Sequence, residues 1–305
     1  MYDLIGDIHG HADELIRLLQ HLGYTRTRGA FRHPERKVIF LGDFIDRGPQ
    51  IRLVLKTVRD MVEAGSALAV MGNHELNALA YHTPNEIETG QALRVNCEKN
   101  RKQHRATLDQ LGPDMGTHLK WFRTLPLWLD LDGLRAVHAC WDDEAMAAIA
   151  KLHGGLNITD EFLHAACRKQ GSIFERVEVL LKGREAKLPD GLSFFDKDGH
   201  ERHSIRTRWY MKPHEFCTYA EFALQTDPVP CHVPLDDCTL EAARPYPATE
   251  KPVFVGHYWL KDERPAVLAP NVACLDYSVA KGGFLCAYRW QGERTLTDEH
   301  FVHAG

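Results

Sequence analysis

Short apolar runs alternate with polar loops and amphipathic segments in the N-terminal part of the chain. The apolar runs cover residues 2–5, 38–41 and 67–71. After the first run, apolar residues recur at the spacing of one helix face, namely Ala12, Leu15, Ile16, Leu19 and Leu22. A second amphipathic segment covers residues 51–64, and a third helix is expected from Leu76. The repeated order of strand, loop and helix predicts parallel strands joined by crossover helices.

The loops after these three strands carry acidic residues, histidines and an asparagine. Their sequences are GDIHG from Gly6, GDFIDRGP from Gly42 and GNHE from Gly72. Because the carboxyl ends of parallel strands meet at one edge of a sheet, we expect the loops to point into a common crevice. The glycine before each polar group, and Gly256 later in the chain, allows a sharp turn and close approach of the backbone to a bound ion.

Farther along the chain, the pattern predicts further helices and strands. Residues 85–120 are predicted to be polar and helical. Residues 127–131 and 134–137 flank an Asp-Gly pair and predict a hairpin that ends at His138. Apolar runs predict three more strands, at residues 252–255, 272–275 and 284–290. The first of these three strands runs into His257.

A long segment between the two groups of strands predicts an insertion. Residues 142–181 are predicted to be helical, and a hairpin with a DKDG turn at Asp196 follows them. Residues 225–251 are rich in proline and cysteine and are predicted to form loop. We therefore expect a single α/β domain over residues 1–305, with an inserted helical and hairpin segment at about residues 142–250.

Composition excludes several classes of function. The net charge of −5 argues against general nucleic-acid binding, which requires a basic surface. No apolar run is long enough to span a membrane, and the N-terminus lacks the pattern of a signal peptide, so we expect a cytoplasmic protein. The eight cysteines form no CxxC pair. A structural zinc site is not expected in the cysteine- and histidine-rich segment, whose residues are His214, Cys217, Cys231, His232 and Cys238.

Side chains that could bind metal directly follow the predicted strands. They are Asp7, His9, Asp43, Asn73, His74, His138 and His257. This mixed set of nitrogen and oxygen donors, without a thiolate, suits manganese, iron or zinc. One carboxylate can bridge two ions, and a pair of ions about 3.5–4 Å apart lowers the pKa of a water between them. The hydroxide that results is a nucleophile. Neither GxxxxGK[ST] nor GxGxxG follows a predicted strand, which argues against a phosphate-binding glycine loop.

The ordered motifs GD-x-HG, GD-xx-DRG and GNHE, followed by a strand-end histidine and a Gly-His pair, resemble a known family. They are similar to the phosphoprotein phosphatase family of calcineurin-like metallophosphoesterases, which includes serine/threonine protein phosphatases and symmetrical bis(5′-nucleosyl)-tetraphosphatases. The resemblance covers residues 1–80, with His138 and His257 as later anchors. It implies a βαβ sandwich of two sheets flanked by helices, with two divalent metal ions. Manganese is the expected metal, and iron or zinc are the alternatives.

Carried over by position, the resemblance implies roles for the motif residues. One metal ion would be held by Asp7, His9 and Asp43. The other would be held by Asp43, Asn73, His138 and His257, so that Asp43 bridges the two ions. His74 would protonate the leaving oxygen, and Asp46 would orient His74. Arg47 and Asn73 would bind phosphate oxygens.

The family uses a second phosphate-binding arginine from the middle of the chain. The sequence IRTRW offers Arg206 and Arg208, and Arg208 is slightly preferred because it precedes Trp209 and Tyr210. The basic residues between Lys182 and Lys212 either form a solvated face or line an anionic substrate site.

The expected function is that of a dinuclear phosphoester hydrolase in which a metal-bridging hydroxide attacks a phosphomonoester. We expect a serine/threonine protein phosphatase, and the alternative is symmetrical hydrolysis of diadenosine tetraphosphate. The intact DRG and GNHE motifs favour the first, whereas VHACW around His138 favours the second. A binding module with an inactive core would lack a ligand or the acid, and the complete set argues against it. The expected partner is a phosphorylated protein or a nucleotide, with no nucleic acid and no membrane.

Overall fold

The computed structural model describes residues 1–87, 90–153, 157–195, 199–224, 229 and 232–303. Two features of the sequence analysis, the turn that begins at Asp196 and the thiol of Cys231, lie outside the described residues.

The N-terminal part of the chain forms the expected crossovers. Its elements are β1 (Tyr2–Ile5), α1 (Ala12–His21), β2 (Thr25–Thr27), β3 (Ala30–Arg32), β4 (Lys37–Phe40), α2 (Ile51–Glu63), β5 (Ala67–Ala69) and α3 (Asn73–His82). Strand β1 is parallel to β4, and β4 is parallel to β5. The sequence analysis missed the hairpin of β2 and β3, because β2 is exposed and carries no apolar alternation.

Helices and short hairpins form the middle of the chain. The elements are α4 (Glu98–Leu111), α5 (Met115–Phe122), β6 (Trp128–Asp130), β7 (Arg135–Val137), α6 (Asp143–His153), α7 (Asp160–Cys167), α8 (Ser172–Lys182), β8 (Glu185–Lys187), β9 (Phe194–Phe195), β10 (Glu201–Arg202), β11 (Ser204–Arg206), α9 (Tyr219–Phe222) and α10 (Asp237–Ala242). The prediction of helix from residue 85 was wrong, since no described residue between 85 and 97 is helical. Helix α3 ends at an extended Thr83 because the next residue is Pro84, which disfavours helical backbone before it.

The C-terminal part of the chain contains five strands, and the three predicted from apolar runs are among them. They are β12 (Val253–Val255), β13 (Val272–Cys274), β14 (Asp276–Tyr277), β15 (Phe284–Trp290) and β16 (Phe301–His303). One sheet has the order β14-β15-β1-β4-β5, with β16 on β15, and the other has the order β13-β12-β7-β6. One hydrophobic core contains residues of both sheets, and Phe254 of β12 contacts Tyr288 of β15. The molecule is therefore an α/β sandwich of two sheets with flanking helices.

The predicted insertion contains α6–α10 and two nested antiparallel pairs, β8 with β11 and β9 with β10. A second, smaller apolar cluster lies within it and includes Phe194, Ile205 and Tyr219. The single-domain organisation with this insertion remains our proposal. Among the described helices, none has the length and apolar character needed to cross a membrane.

Candidate active site

Loops at the carboxyl ends of β1, β4, β5 and β7 converge on the carboxylate of Asp43. The Oδ2 atom of Asp43 lies 3.6 Å from His9 Nε2, 3.8 Å from His74 Nε2 and 3.4 Å from His138 Nε2. All four side chains are buried. Asp43 is thus the common neighbour of three imidazoles that come from three different loops.

The loop after β12 completes this arrangement. The backbone N–H of His257 donates to Asp7, at 3.1 Å from Oδ2. His138 Nε2 lies 3.1 Å from Asn73 Oδ1. Two sets of three donor atoms, each set within 4.8 Å, share Asp43: one with His9 and His74 and the other with His138 and His257. The cysteine- and histidine-rich segment contributes to neither set in the described part of the chain.

Buried nitrogen atoms without partners indicate that this cluster can hold cations. His9 Nδ1 donates to the carbonyl of Ile45 at 2.9 Å, which leaves Nε2 with a lone pair and no hydrogen-bond partner among the described residues. Neither ring nitrogen of His257 has a hydrogen-bond partner there either. Because a buried polar atom without a partner costs about 1–3 kcal/mol, a ligand for these lone pairs is expected. A metal ion fits them, since neutral imidazole is a common metal ligand.

The electrostatic environment of His138 also indicates that the cluster can hold cations. Its Nδ1 donates to the Leu41 carbonyl at 2.7 Å, so the Nε2 atom faces the oxygens of Asn73 and Asp43. Burial alone would lower the pKa of His138, but the carboxylates of Asp43 and Asp7 raise it to about 10. The same negative potential would hold a divalent cation, and the donor set therefore fits the metal ions that the sequence implies.

His74 and Asp46 form a hydrogen-bonded pair beside Asp43. His74 Nδ1 donates to Asp46 Oδ2 at 2.5 Å, and both side chains are buried. Burial would lower the pKa of His74, but Asp43 and Asp46 outweigh it and raise this pKa. Burial would raise the pKa of Asp46, but hydrogen bonds from His104 and His74 hold it below its usual range. The two carboxylates therefore favour the protonated imidazole of His74, whose Nε2 faces Asp43.

Cations at the rim of the cluster lie against Trp259. The guanidinium carbon of Arg47 is 4.3 Å from the centre of the Trp259 ring, and the ammonium of Lys281 is 5.1 Å from it. The indole also stacks on His9, with ring centres 5.4 Å apart. Arg47 thus lies beside the cluster, and Lys281 adds a second positive charge that the sequence analysis did not identify.

The two candidate arginines of the insertion have different surroundings. Burial is the largest cause of the lowered pKa of His257, and the positive charge of Arg206 is the next largest. The charge of Arg206 therefore acts on the cluster. Arg208 instead donates from Nε to the carbonyl of Glu221 in α9 at 3.1 Å. These contacts favour Arg206 over Arg208 as the phosphate-binding arginine, and the choice between them stays a proposal.

Backbone strain is concentrated in these loops. Of the nine described residues other than glycine with positive φ, six belong to the cluster or its rim: His9, Asp43, Asp46, Arg47, His257 and Trp259. Such conformations are costly for residues with a Cβ atom and are typical of functional sites. Two glycines permit the close packing. A Cβ atom would lie 2.1 Å from Asp43 Oδ1 if placed on Gly72, and 2.0 Å from Asp7 Oδ1 if placed on Gly256.

Two acidic residues with no role in the sequence analysis support the loops. Glu75 accepts hydrogen bonds from the backbone N–H groups of Asp43, Phe44 and Gly72, which ties the β4 and β5 loops together. Asp276 accepts from Trp259 N at 2.8 Å. Glu75 stands in the GNHE motif, and Asp276 directly follows the predicted strand at residues 272–275. Asp276 therefore meets the criterion that selected the other site residues, namely a polar side chain directly after a predicted strand.

Comparison with known proteins agrees with this geometry. The asymmetrical bis(5′-nucleosyl)-tetraphosphatase PrpE of Halalkalibacterium halodurans is 45% identical over 95 residues, which are 31% of this chain and 39% of that enzyme. The chain spans 39–56% of the length of the asymmetrical enzymes that it matches. The symmetrical bis(5′-nucleosyl)-tetraphosphatase of Actinobacillus succinogenes is 26% identical, over 99% of this chain and 98% of that enzyme.

A serine/threonine phosphatase from Saccharomyces cerevisiae shares the fold, with a TM-score of 0.50 at 13% identity, over 99% of this chain and 78% of that one. A family model described as calcineurin-like phosphoesterase matches residues 2–204, which is more than half of the chain. With the fold and the paired donor sets around Asp43, this match shows that the chain belongs to the calcineurin-like phosphoesterase family.

Proposed function

We propose that the protein hydrolyses dinucleoside tetraphosphates and cuts them symmetrically, which is the alternative rather than the first expectation of the sequence analysis. The observation that carries this proposal is the similarity to a symmetrical bis(5′-nucleosyl)-tetraphosphatase along nearly the whole length of both chains. The similarity to the serine/threonine phosphatase concerns the fold alone.

The ligand sets implied by the sequence motifs remain our assignment. Asp7, His9 and Asp43 would hold one divalent ion. Asp43, Asn73, His138 and His257 would hold the other. When bound, such ions polarise phosphoryl oxygens and lower the pKa of water. Manganese is the metal that we expect, with iron or zinc as alternatives.

The residues around the donor sets would act on the substrate itself. His74 would donate the proton at Nε2 to the leaving oxygen, because its Nδ1 is already bonded to Asp46. The raised pKa of His74 favours the form of the imidazole that carries this proton. Arg47, Arg206 and the Asn73 amide would bind phosphoryl oxygens, and the two guanidinium groups match that geometry in particular.

The cations against Trp259 suit a substrate with several phosphates. One phosphoryl group needs charge compensation only at the donor sets and the arginines. A polyphosphate chain carries negative charge beyond the reacting phosphorus, and both Arg47 and Lys281 contact the Trp259 ring, toward which such charge would extend. This placement favours a dinucleoside polyphosphate over a phosphorylated side chain.

Product analysis tests the proposal. The protein is incubated with Mn²⁺ and either diadenosine tetraphosphate or a phosphoserine peptide, and the products are separated by anion-exchange chromatography. We expect ADP as the only nucleotide product and slow release of phosphate from the peptide. ATP together with AMP would show asymmetrical cleavage, and turnover of the peptide alone would show a protein phosphatase.

Replacing Lys281 by alanine is expected to raise KM for diadenosine tetraphosphate about tenfold, because one charge-assisted phosphate contact contributes about 1.4 kcal/mol. The kcat/KM for 4-nitrophenyl phosphate should not change, since that ester has a single phosphate. Steady-state kinetics on both substrates measure the effect. The matched control is Lys261→Ala, which removes another exposed lysine of the same region. Equal effects of the two substitutions would contradict the assignment of Lys281.

A further inference from the structure

A third histidine lies behind the His74–Asp46 pair. His104, from α4, donates from Nδ1 to Asp46 Oδ1 at 2.8 Å, while His74 occupies Oδ2 at 2.5 Å. Thr107, one turn farther along α4, donates its hydroxyl to the same Oδ1. Both oxygens of a buried carboxylate are therefore bonded, and they face two different imidazoles.

The backbone joins the same arrangement. The N–H of Asp46 donates to the Thr107 hydroxyl oxygen at 2.9 Å, so α4 contacts this residue through both its backbone and its side chain. Asp46 has a φ of +67°, a left-handed conformation that a residue with a Cβ adopts only when its surroundings require it. Helix α4 thus determines both the position and the rotation of the carboxylate.

Helical amphipathicity does not explain why a histidine occupies position 104. His104 is only 5% exposed, and its Nε2 has no hydrogen-bond partner among the described residues. Burying an imidazole with one unpaired nitrogen is unfavourable, and an apolar residue would fill the space without that cost. Tyr81 and His82 of α3 contact its ring, and Arg94 lines the small cavity shared by Asp46 and His104. Among the described residues, the polar partner of its ring is Asp46.

We propose that His104 is a positioning residue for the phosphoester hydrolysis, which holds Asp46 so that Oδ2 orients His74 toward the leaving oxygen. Without the bond from His104, only the Thr107 hydroxyl would hold Oδ1, so the carboxylate would be less constrained in rotation and the direction of His74 less fixed. The proposal rests on the roles given above to His74 and Asp46, but not on the identity of the natural substrate.

Two substitutions at position 104 separate this role from simple packing. His104→Leu removes the donor, whereas His104→Asn keeps an N–H near the place of Nδ1. With Mn²⁺, we expect His104→Leu to lower kcat for phenyl phosphate by about 10–100-fold, the scale of a small misplacement of a catalytic group. The loss should be smaller for 4-nitrophenyl phosphate, whose leaving group needs less protonation. KM and Mn²⁺ affinity should stay unchanged, and His104→Asn should restore most of kcat.

The control is His82→Leu, which removes a neighbouring exposed imidazole that has no contact with Asp46 among those described. Equal losses for the two esters, weakened Mn²⁺ binding or an unchanged kcat in His104→Leu would each overturn the proposal. If circular dichroism shows that His104→Leu is unfolded, Thr107→Val removes the other side-chain donor to Oδ1 and should give the same dependence on the leaving group.

A readout without turnover separates this proposal from the proposed function. In Zn²⁺-loaded protein, the proton between His74 Nδ1 and Asp46 should give a far-downfield resonance in the ¹H NMR spectrum. His104→Leu should shift or abolish this resonance, and His104→Asn should retain it. An unaltered resonance in His104→Leu overturns the proposal even if neither ester is hydrolysed, whereas failure of wild-type hydrolysis contradicts the proposed function alone.

Discussion

Replacing Asp43 by asparagine is expected to lower turnover of phosphoesters by about 10³-fold or more and to weaken both metal sites. The Oδ2 atom of Asp43 is the common neighbour of the imidazoles of His9, His74 and His138. Asparagine keeps the shape and the oxygen that accepts from the His74 N–H, but it removes the negative charge. Loss of metal-assisted charge stabilisation amounts to several kcal/mol, which corresponds to about three orders of magnitude in rate.

Isothermal titration with Mn²⁺ and steady-state kinetics with 4-nitrophenyl phosphate measure the effect of Asp43→Asn. The matched control is Asp109→Asn, which removes an exposed carboxylate that pairs only with Arg105 in the described part of the chain. Exposed pairs of this kind contribute little, so the control should bind and turn over like the wild type. Two Mn²⁺ ions bound at wild-type affinity by Asp43→Asn would refute the bridging role.

Replacing Gly256 by alanine is expected to lower activity almost as much as Asp43→Asn does, although the added group is a single methyl. That methyl would lie 2.0 Å from Asp7 Oδ1, well inside contact distance. The carboxylate must move, and its hydrogen bond from the backbone N–H of His257 must lengthen. The ion assigned to Asp7 should be lost first, so titration should find one strong site instead of two.

The control for Gly256→Ala is Gly116→Ala in α5, where a Cβ atom would have no neighbour within 4 Å. Because alanine is a better helix former than glycine, this change should leave activity intact and stabilise the protein by about 0.5–1 kcal/mol. Thermal unfolding and kcat are measured for both Gly256→Ala and Gly116→Ala. Wild-type kcat in Gly256→Ala would mean that Asp7 can relax without leaving its ion.

The convergence of the loops was predictable because it depends on strand direction. Apolar runs predicted β1, β4 and β5, and parallel strands must carry their following loops to one edge of the sheet. Asp7, Asp43 and Asn73 stand just after those runs, so their proximity required no knowledge of side-chain packing. The glycines before them were predictable for a related reason, since close approach of the backbone leaves no room for a Cβ atom.

Features that depend on packing between remote segments were not predictable. His104 lies on a polar helix, and nothing in its local sequence distinguishes it from the other histidines of the chain. Its partner Asp46 is separated from it by 58 positions. The choice between Arg206 and Arg208 depends on where the end of β11 packs, and strand alternation alone does not give that orientation.

The cluster joins segments from opposite ends of the chain. Asp7 and His257 are 250 positions apart and follow strands of different sheets. Ions held by Asp43 together with Asp7 on one side and His257 on the other would act as cross-links that close long loops, and ligands that bind only the folded state stabilise it by mass action. Removal of the cation is therefore expected to lower the stability of the folded protein.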